Sequence, residues 1–306
     1  MGMKYGMLLL LILPAMAISQ QVTTPAYPPT MPGAELETYK TIGDVDMRVW
    51  IFNPVGHSAN DCRPAIVFFF GGGWKGGNPN QFIRHCEYLA ARGMVAIAAD
   101  YRVSSRHGVT ANLCVEDAKS VVRWIRKHGD RLGIDPNRIA ASGGSAGGHL
   151  AAATATLPMH DDAKDDLSIS ARPNALVLFN PALVLSPIPG EWELSDIRIT
   201  NLKERMGVDL ESMSPYHNVK SGMPPTIIFH GTADNTVPYK TVELFWEKMK
   251  AQGNHCVLIG YDGAGHGFFN YGRDDNVFFV DTVNKMDAFL VSLGYLRGAR
   301  SRVHSE

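Results

Sequence analysis

The sequence predicts an α/β protein built on one mostly parallel, doubly wound sheet with helices on both faces. Short apolar runs bounded by Gly, Pro or Asp are typical of strands that are buried on both faces. Segments with helical spacing alternate with these runs, and a glycine-rich turn joins one strand to the helix after it. The 306 residues contain no internal repeat and no further series of strand and helix patterns that would indicate a second domain. We therefore expect one domain, spanning residues 36–296.

Composition bounds the class of protein. Hydrophobic residues make up 45% of the chain and charged residues 19%, a balance typical of a globular protein with a sizeable core. The formal net charge of -1 gives no electrostatic reason to expect nucleic acid or an anionic membrane as a partner. A neutral or weakly charged small molecule fits this balance better. The sequence does not indicate an oligomeric state.

The first residues resemble a signal peptide. Lys4 precedes an apolar run, Met7 to Ala17, that is too short to span a bilayer. Small residues near Ala17 suit a signal peptidase, so we expect residues 1–19 to be removed and the product to be secreted or periplasmic, without membrane insertion. An uncleaved anchor is the less favoured alternative. Residues 20–35 form a predicted Pro-rich linker or arm, and residues 297–306 a C-terminal tail.

Four cysteines, Cys62, Cys86, Cys114 and Cys256, leave two possibilities open. An oxidising compartment would permit up to two disulfides, whereas a domain of this size is also stable with buried free thiols. Their spacing lacks the close pairs of a zinc site. We therefore expect neither a metal nor a cofactor.

The predicted elements follow in order along the chain. Two strands around the Gly43-Asp44 turn, 39–42 and 45–52, are interpreted as an antiparallel edge. The other predicted strands are 65–70, 94–99, 138–142, 175–179, 226–230 and 256–261. Helical spacing is found at 81–92, 113–128, 146–156, 239–252 and 277–293. The remaining stretch, 182–223, is interpreted as a short, loop-rich insertion near the active site with one short helical piece.

Ser145 is the predicted nucleophile, in the run Gly143-Gly144-Ser145-Ala146-Gly147. A sharp turn between a strand and a helix exposes such a serine above the sheet, and its neighbours must be small because the turn is tight. The motif alone is weak, since a flexible linker or a phosphate-binding turn has similar residues. The strand and helix around it favour the nucleophile, and no Lys follows the glycines as a phosphate loop would require.

A serine hydroxyl needs a histidine to take its proton and a carboxylate to orient that histidine. Asp234 follows the strand 226–230, and His266 lies in a glycine-rich loop after the last strand. The order Ser145, Asp234, His266 is the one expected for this kind of sheet. His230 and His149 are interpreted as structural residues.

Three glycines follow the strand 65–70 directly, in Gly71-Gly72-Gly73-Trp74. Their backbone can turn N–H groups toward a ligand, and the N–H of Ala146 opens a helix whose dipole favours negative charge. Gly72, Gly73 and Ala146 are therefore the predicted donors of an oxyanion hole.

Four blocks of this sequence, 70–74, 100–102, 143–149 and 230–238, resemble the hormone-sensitive-lipase-like and acetylesterase–feruloyl esterase branch of the α/β-hydrolases. The resemblance spans 36–293 and implies the α/β-hydrolase fold, with acyl transfer to water through an acyl-enzyme. One departure is Phe70, where the family usually has a histidine before the glycines. Any bracing that this histidine provides must come from elsewhere.

The resemblance also implies a substrate class. Secreted members of this branch, such as acetylxylan esterases, remove acetyl or feruloyl groups from plant polysaccharides, so a small-molecule or polysaccharide-linked short-chain ester is expected. Trp74 and Trp192 are candidate substrate-binding residues, although Trp192 could equally serve packing. The alternatives are a prolyl-oligopeptidase-like peptidase, for which the chain before residue 36 offers no room for a propeller, and a carbohydrate-binding pseudoenzyme, which would lack a triad residue.

Overall fold

The computed structural model describes residues 1–3 and 27–298. Most of the predicted signal segment and nearly all of the predicted tail lie outside the described residues. Within them, eight strands form one sheet: β1 (Glu35–Ile42), β2 (Val45–Phe52), β3 (Arg63–Phe69), β4 (Val95–Ala99), β5 (Ile134–Gly144), β6 (Ala175–Phe179), β7 (Thr226–Gly231) and β8 (Cys256–Tyr261).

The strand order across the sheet is β1-β2-β4-β3-β5-β6-β7-β8. β2 pairs antiparallel with β1 and with β4, and every other pair is parallel. The predicted antiparallel edge and the mostly parallel sheet are therefore confirmed. Because β5 to β8 run parallel, the loops after these strands meet at one edge of the sheet.

Helices cover both faces: α1 (Ile83–Ala91), α2 (Ser104–His107), α3 (Ala111–Lys127), α4 (Ala146–Thr156), α5 (Asp196–Met206), α6 (Leu210–Met213), α7 (Tyr239–Ala251) and α8 (Val277–Ser292). Successive residues of β3 belong to opposite faces. Val67 packs in the apolar cluster that includes α3, α4 and α7, whereas Phe68 packs in the cluster that includes α1 and α8. The unbroken apolar run at 65–70 thus reflects burial on both sides.

The predicted character of 182–223 is wrong in one respect. The segment contains two α-helices, α5 with 11 residues and the short α6, and also the 3-10 turn Tyr216–Asn218. α5 has ordinary end signals, since the Ser195 side chain caps its start and Gly207 ends it at φ 75°. Only Met206 of α5 is buried, so the helix lacks the apolar periodicity that would reveal it.

The four cysteines are free thiols in the structure, and only Cys62 is exposed. Burial raises the pKa of Cys256 to about 12 and that of Cys86 well above its usual value. Thiols held protonated in this way are poor nucleophiles. None of the described helices is long and apolar enough to cross a membrane.

Candidate active site

Ser145 lies in the sharp turn between β5 and α4. Its backbone is strained, with φ 55° and ψ -118°. A Cβ atom on Gly147 would lie 2.0 Å from the carbonyl oxygen of Phe69, and one on Gly143 would lie 2.4 Å from the carbonyl of Gly147. The turn packs directly on the end of β3, and both positions therefore require glycine.

The structure brings the three predicted triad residues together. Oγ of Ser145 lies 2.9 Å from Nε2 of His266, and Nδ1 of His266 lies 2.7 Å from Oδ2 of Asp234. A carboxylate only accepts, so Nδ1 carries the proton and Nε2 accepts from the serine hydroxyl. Asp234 follows β7 and His266 follows β8, at the same sheet edge as Ser145.

Asp234 is buried and held in its charged form. Oδ1 accepts hydrogen bonds from the N–H groups of Thr236 and Val237, at 2.8 and 2.9 Å. Burial alone would raise the pKa of Asp234, but the hydrogen bonds from His230, His266 and Val237 outweigh it and hold the pKa well below its usual range. His230 also lies 2.8 Å from the Val237 carbonyl, which agrees with its predicted structural role.

The glycine loop after β3 provides free backbone donors. Gly72 and Gly73 have φ of 131° and 63°, values that favour glycine. Within the described part of the chain, no hydrogen bond uses the N–H groups of Gly72, Gly73 or Ala146. Gly73 lines the same cavity as Ser145, and a Cβ on Gly71 would lie 3.4 Å from that of Ser145.

Phe70 and a glutamine replace the bracing that the usual histidine would provide. The Phe70 ring stacks on Tyr101 at 4.1 Å, and the Tyr101 hydroxyl donates to the Phe70 carbonyl at 2.7 Å. The Gly71 N–H donates to Oε1 of Gln81 at 2.6 Å, while Nε2 of Gln81 donates to Oδ1 of Asn270 at 2.9 Å. Gln81 therefore ties the glycine loop to the segment after β8.

Asparagines position the loop that carries His266. Nδ2 of Asn270 donates to the Gly267 carbonyl at 2.8 Å, and Oδ1 of Asn180 accepts from the Gly267 N–H at 3.1 Å. The sequence did not single out Asn180, Asn270 or Gln81. Of these, Asn180 had a usable signal, because it directly follows the strand 175–179 at the edge where the triad forms.

Trp74 is 5% exposed and extends this bracing to the insertion. Its Nε1 donates to Nδ1 of the buried His149 at 3.3 Å, so Nε2 of His149 is the protonated nitrogen and donates to the Met213 carbonyl at 2.7 Å. Burial lowers the pKa of His149 to about 4 and keeps the ring neutral. His149 is structural, as predicted.

A cavity of about 120 Å³ opens at Ser145. Both predicted tryptophans line it, together with Gly73, Ala182, Val184, Leu185, Leu194, Arg198, Leu202, Arg205, Thr236, Val237, Pro238 and Thr241. A larger cleft of about 710 Å³ is lined by Asn174 and Pro225, which precede β6 and β7. It therefore lies at the opposite edge of the sheet from the triad.

Comparisons with known proteins agree with this geometry. A family model described as BD-FAE matches residues 51–249, more than half of the chain, and one described as the dienelactone hydrolase family matches residues 210–292. Esterase LipC of Mycobacterium tuberculosis is 30% identical over 228 residues, 67% of this chain and 53% of LipC. The chain thus spans about half the length of that relative.

Two further relatives match over most of their length. Carboxylesterase NlhH of Mycobacterium tuberculosis is 25% identical over 289 residues, 84% of this chain and 82% of NlhH. The solved structure of a thermophilic esterase from Thermogutta terrifontis, Est2, is 51% identical with a TM-score of 0.86, and the match covers 90% of this chain and 98% of that one. The chain therefore belongs to the BD-FAE family, among the α/β-hydrolase carboxylesterases.

Proposed function

We propose that the chain is a serine esterase that hydrolyses short-chain acyl esters through an acyl-enzyme on Ser145. The observation that carries the proposal is the chain of hydrogen bonds from Ser145 through His266 to Asp234, at 2.9 and 2.7 Å. Nucleophile and base within hydrogen-bond reach, with a third group orienting the base, is the arrangement that acyl transfer requires.

Each residue of the triad and of the oxyanion hole has its own role in the proposed reaction. Oγ of Ser145 attacks the ester carbonyl while Nε2 of His266 takes the hydroxyl proton, and Asp234 stabilises the imidazolium that forms. The oxyanion accepts hydrogen bonds from the free N–H groups of Gly72, Gly73 and Ala146. His266 then protonates the leaving alcohol. In the second half, His266 takes a proton from water, whose oxygen attacks the acyl-enzyme; His266 then returns the proton to Oγ of Ser145 as the bond to the acyl group breaks and the acid leaves.

The site favours small acyl groups. The cavity beside Ser145 is only about 120 Å³, with apolar walls that include Val184, Leu185 and Leu202. Esterase 2 of Thermogutta terrifontis has been solved with propionate bound and with butyrate bound, and also phosphonylated by sarin and phosphorylated by paraoxon. The bound propionate and butyrate support short-chain acyl esters as substrates of this chain, and the organophosphate adducts support an activated nucleophile, for which Ser145 is the candidate here.

The finer proposal is that the esters are acetyl or feruloyl groups on plant polysaccharides and that the chain is secreted or periplasmic. Trp192 supports the first part, because this half-buried indole lines the cavity at Ser145, where it can stack on a sugar or an aromatic acyl group. The apolar run Met7 to Ala17 supports the second part.

A panel of p-nitrophenyl esters from acetate to long chain, with acetylated xylan and methyl ferulate, tests the proposal. Activity should be highest on acetate to butyrate. The variant Ser145→Ala should lose about a millionfold in kcat, whereas Ser168→Ala, at an exposed serine, should retain the parent rate. Hydrolysis by Ser145→Ala at the parent rate would refute the proposal, and preference for long chains would refute only the acyl class.

A further inference from the structure

The cavity at Ser145 is positively charged. Its lining contains two arginines, Arg198 and Arg205, and no Asp or Glu among the described residues. Arg198, Leu202 and Arg205 are spaced four and three residues apart on α5, so all three lie on one face of that helix. This face of α5, defined by these three residues, borders the space in which the ester must lie.

Neither Arg198 nor Arg205 has a side-chain partner among the residues that the structure describes. Within the described part of the chain, every other arginine from Arg48 to Arg273 bonds a carboxylate or a backbone carbonyl: Arg48, Arg63, Arg84, Arg92, Arg102, Arg106, Arg123, Arg126, Arg131, Arg138, Arg172 and Arg273. The guanidinium groups of Arg198 and Arg205 form no ion pair and no hydrogen bond with the described residues. Arg198 and Arg205 therefore differ from the other described arginines between Arg48 and Arg273, each of which has a carboxylate or carbonyl partner.

Arg205 is the stronger evidence for a bound ligand, because it is half-buried whereas Arg198 is exposed. Its Nε is enclosed and has no hydrogen-bond partner in the described ranges 1–3 and 27–298, which is costly for a charged group unless a ligand supplies an acceptor. Its Nη1 reaches the glycine loop, since a Cβ built on Gly73 would lie 3.8 Å away. Arg205 and the neighbouring acid Glu204 both line an adjacent cleft, but the two side chains form no ion pair with each other.

We propose that Arg205, assisted by the exposed Arg198, binds a carboxylate carried by the substrate ester. A guanidinium offers a planar pair of donors that matches a carboxylate, which fixes the ester's orientation as well as adding affinity. The overall net charge of -1 does not oppose this, because it averages over the whole surface whereas the cavity lining is cationic. The inference rests on the proposed esterase function and narrows its substrate class.

Two pairs of esters test the proposal, each pair comparing a free carboxylate with its methyl ester, which lacks the charge. Mono-p-nitrophenyl glutarate and its methyl ester place the carboxylate on the acyl part. p-Acetoxybenzoate and its methyl ester place it on the alcohol part. For each pair the ratio of kcat/KM for the charged over the neutral ester is measured, with the spontaneous rate subtracted. Both rate constants in a ratio are measured on the same enzyme sample. An inactive, misfolded fraction of a variant therefore lowers both by the same factor and leaves their ratio unchanged.

In the parent enzyme we expect a ratio of at least about tenfold in one pair, the lower end of what a hydrogen bond to a charged group contributes. The pair that shows it identifies the part of the ester that carries the carboxylate. Arg205→Gln should bring that ratio close to one, and Arg205→Lys should retain part of it. Arg131→Gln removes the same charge from an exposed arginine that pairs with Glu37, and it should leave the ratio unchanged.

Parent ratios at or below one in both pairs would overturn the proposal, as would a high ratio that Arg205→Gln leaves intact. Higher ionic strength should also lower a ratio that depends on charge. Failure of the enzyme to hydrolyse any of the four esters would instead contradict the esterase function itself. The two failures are therefore distinguishable.

Discussion

At the residue scale, Asp234 shows how the site prepares a charge before any substrate arrives. Its two carboxylate oxygens accept hydrogen bonds from two backbone N–H groups and from His266, and it stays ionised although it is buried. A carboxylate fixed in this way holds the His266 ring in the tautomer whose Nε2 can take the serine proton. The proposed mechanism therefore requires the charge on Asp234 more than its shape.

Asp234→Asn tests that requirement, because asparagine keeps the size of the side chain and removes its charge. We expect kcat on p-nitrophenyl acetate to fall about ten-thousandfold, since the wrong histidine tautomer would face Ser145. Asp262→Asn is the matched control, as Asp262 is exposed and accepts a hydrogen bond from the Thr232 hydroxyl at 3.2 Å, remote from His266 Nδ1 in the hydrogen bonds described. A kcat for Asp234→Asn within tenfold of the parent would contradict the role assigned to the charge.

The residues of the site differ in how well the sequence predicts them. Ser145, Asp234 and His266 each lie next to small residues after a predicted strand. Local sequence patterns were therefore enough to single out all three as candidate triad residues. Gln81 and Asn270 are 189 residues apart and bond each other only because the fold joins two loops. Arg205 lies on a polar helix whose position over the cavity depends on tertiary packing. No local pattern carries that information.

At the scale of elements, the loops that hold the donors and the base are cross-braced. Gln81 accepts from the loop that begins at Gly71 and donates to Asn270, which bonds the loop of His266. The two halves of the catalytic geometry are therefore coupled through one amide side chain. A histidine before the glycines is not needed, since Tyr101 and Gln81 hold Phe70 and Gly71 in place.

Gln81→Leu should uncouple the glycine loop that begins at Gly71 from the loop that carries His266. The Gly71 N–H and the side-chain oxygen Oδ1 of Asn270 would lose their partner, and a glycine loop displaced by about 1 Å costs on the order of a hundredfold in rate. We expect this loss in kcat for p-nitrophenyl acetate with KM changed little, because the donors act on the transition state. Gln252→Leu, at an exposed position after α7, is the control. An unchanged kcat, or a loss confined to KM, would refute the bracing role.

The elements themselves were predictable where one pattern dominates. The predicted bounds of α4, β6 and β8 coincide with the observed ones, because alanine-rich or apolar runs end abruptly there. β5 begins at Ile134, four residues before the predicted start, since Ile134 pairs with Arg63 across a register shift that Pro136 conceals in the sequence. The prediction for 182–223 included one short helical piece but gave α5 no bounds, because Met206 is the one buried residue of this helix and its cavity face carries Arg198 and Arg205 beside Leu202.

At the scale of the whole molecule, the sheet face covered by α1 and α8 encloses an unusual histidine. His85 lies among aromatic rings, with Phe82 at 5.0 Å and Phe179 at 5.3 Å, and neither ring nitrogen has a partner among the described residues. Burial lowers the pKa of His85 to about 3. The unfolded chain takes up this proton near its ordinary pKa of about 6.5, so stability falls as pH drops from there toward 3.

His85→Leu removes the imidazole that takes up a proton in the unfolded chain. It also removes two buried ring nitrogens that have no partner among the described residues. We expect its free energy of unfolding to fall less between pH 7 and pH 4 than that of the parent, by about 3 kcal/mol. Denaturant titrations at both values measure the difference. The control is His255→Leu, since His255 is exposed. Equal pH dependence in His85→Leu and the parent would show that His85 does not contribute.

In the proposed function, the turn, the base and the backbone donors act together across the sheet edge to activate Ser145 as the nucleophile. Covalent labelling by diethyl p-nitrophenyl phosphate, followed by intact-mass measurement and peptide mapping, tests this activation. We expect one diethylphosphoryl group per chain, on Ser145, with loss of esterase activity in proportion to labelling and no label on Ser145→Ala. Label on another residue accompanied by the same loss of activity, or full activity after complete labelling of Ser145, would contradict it.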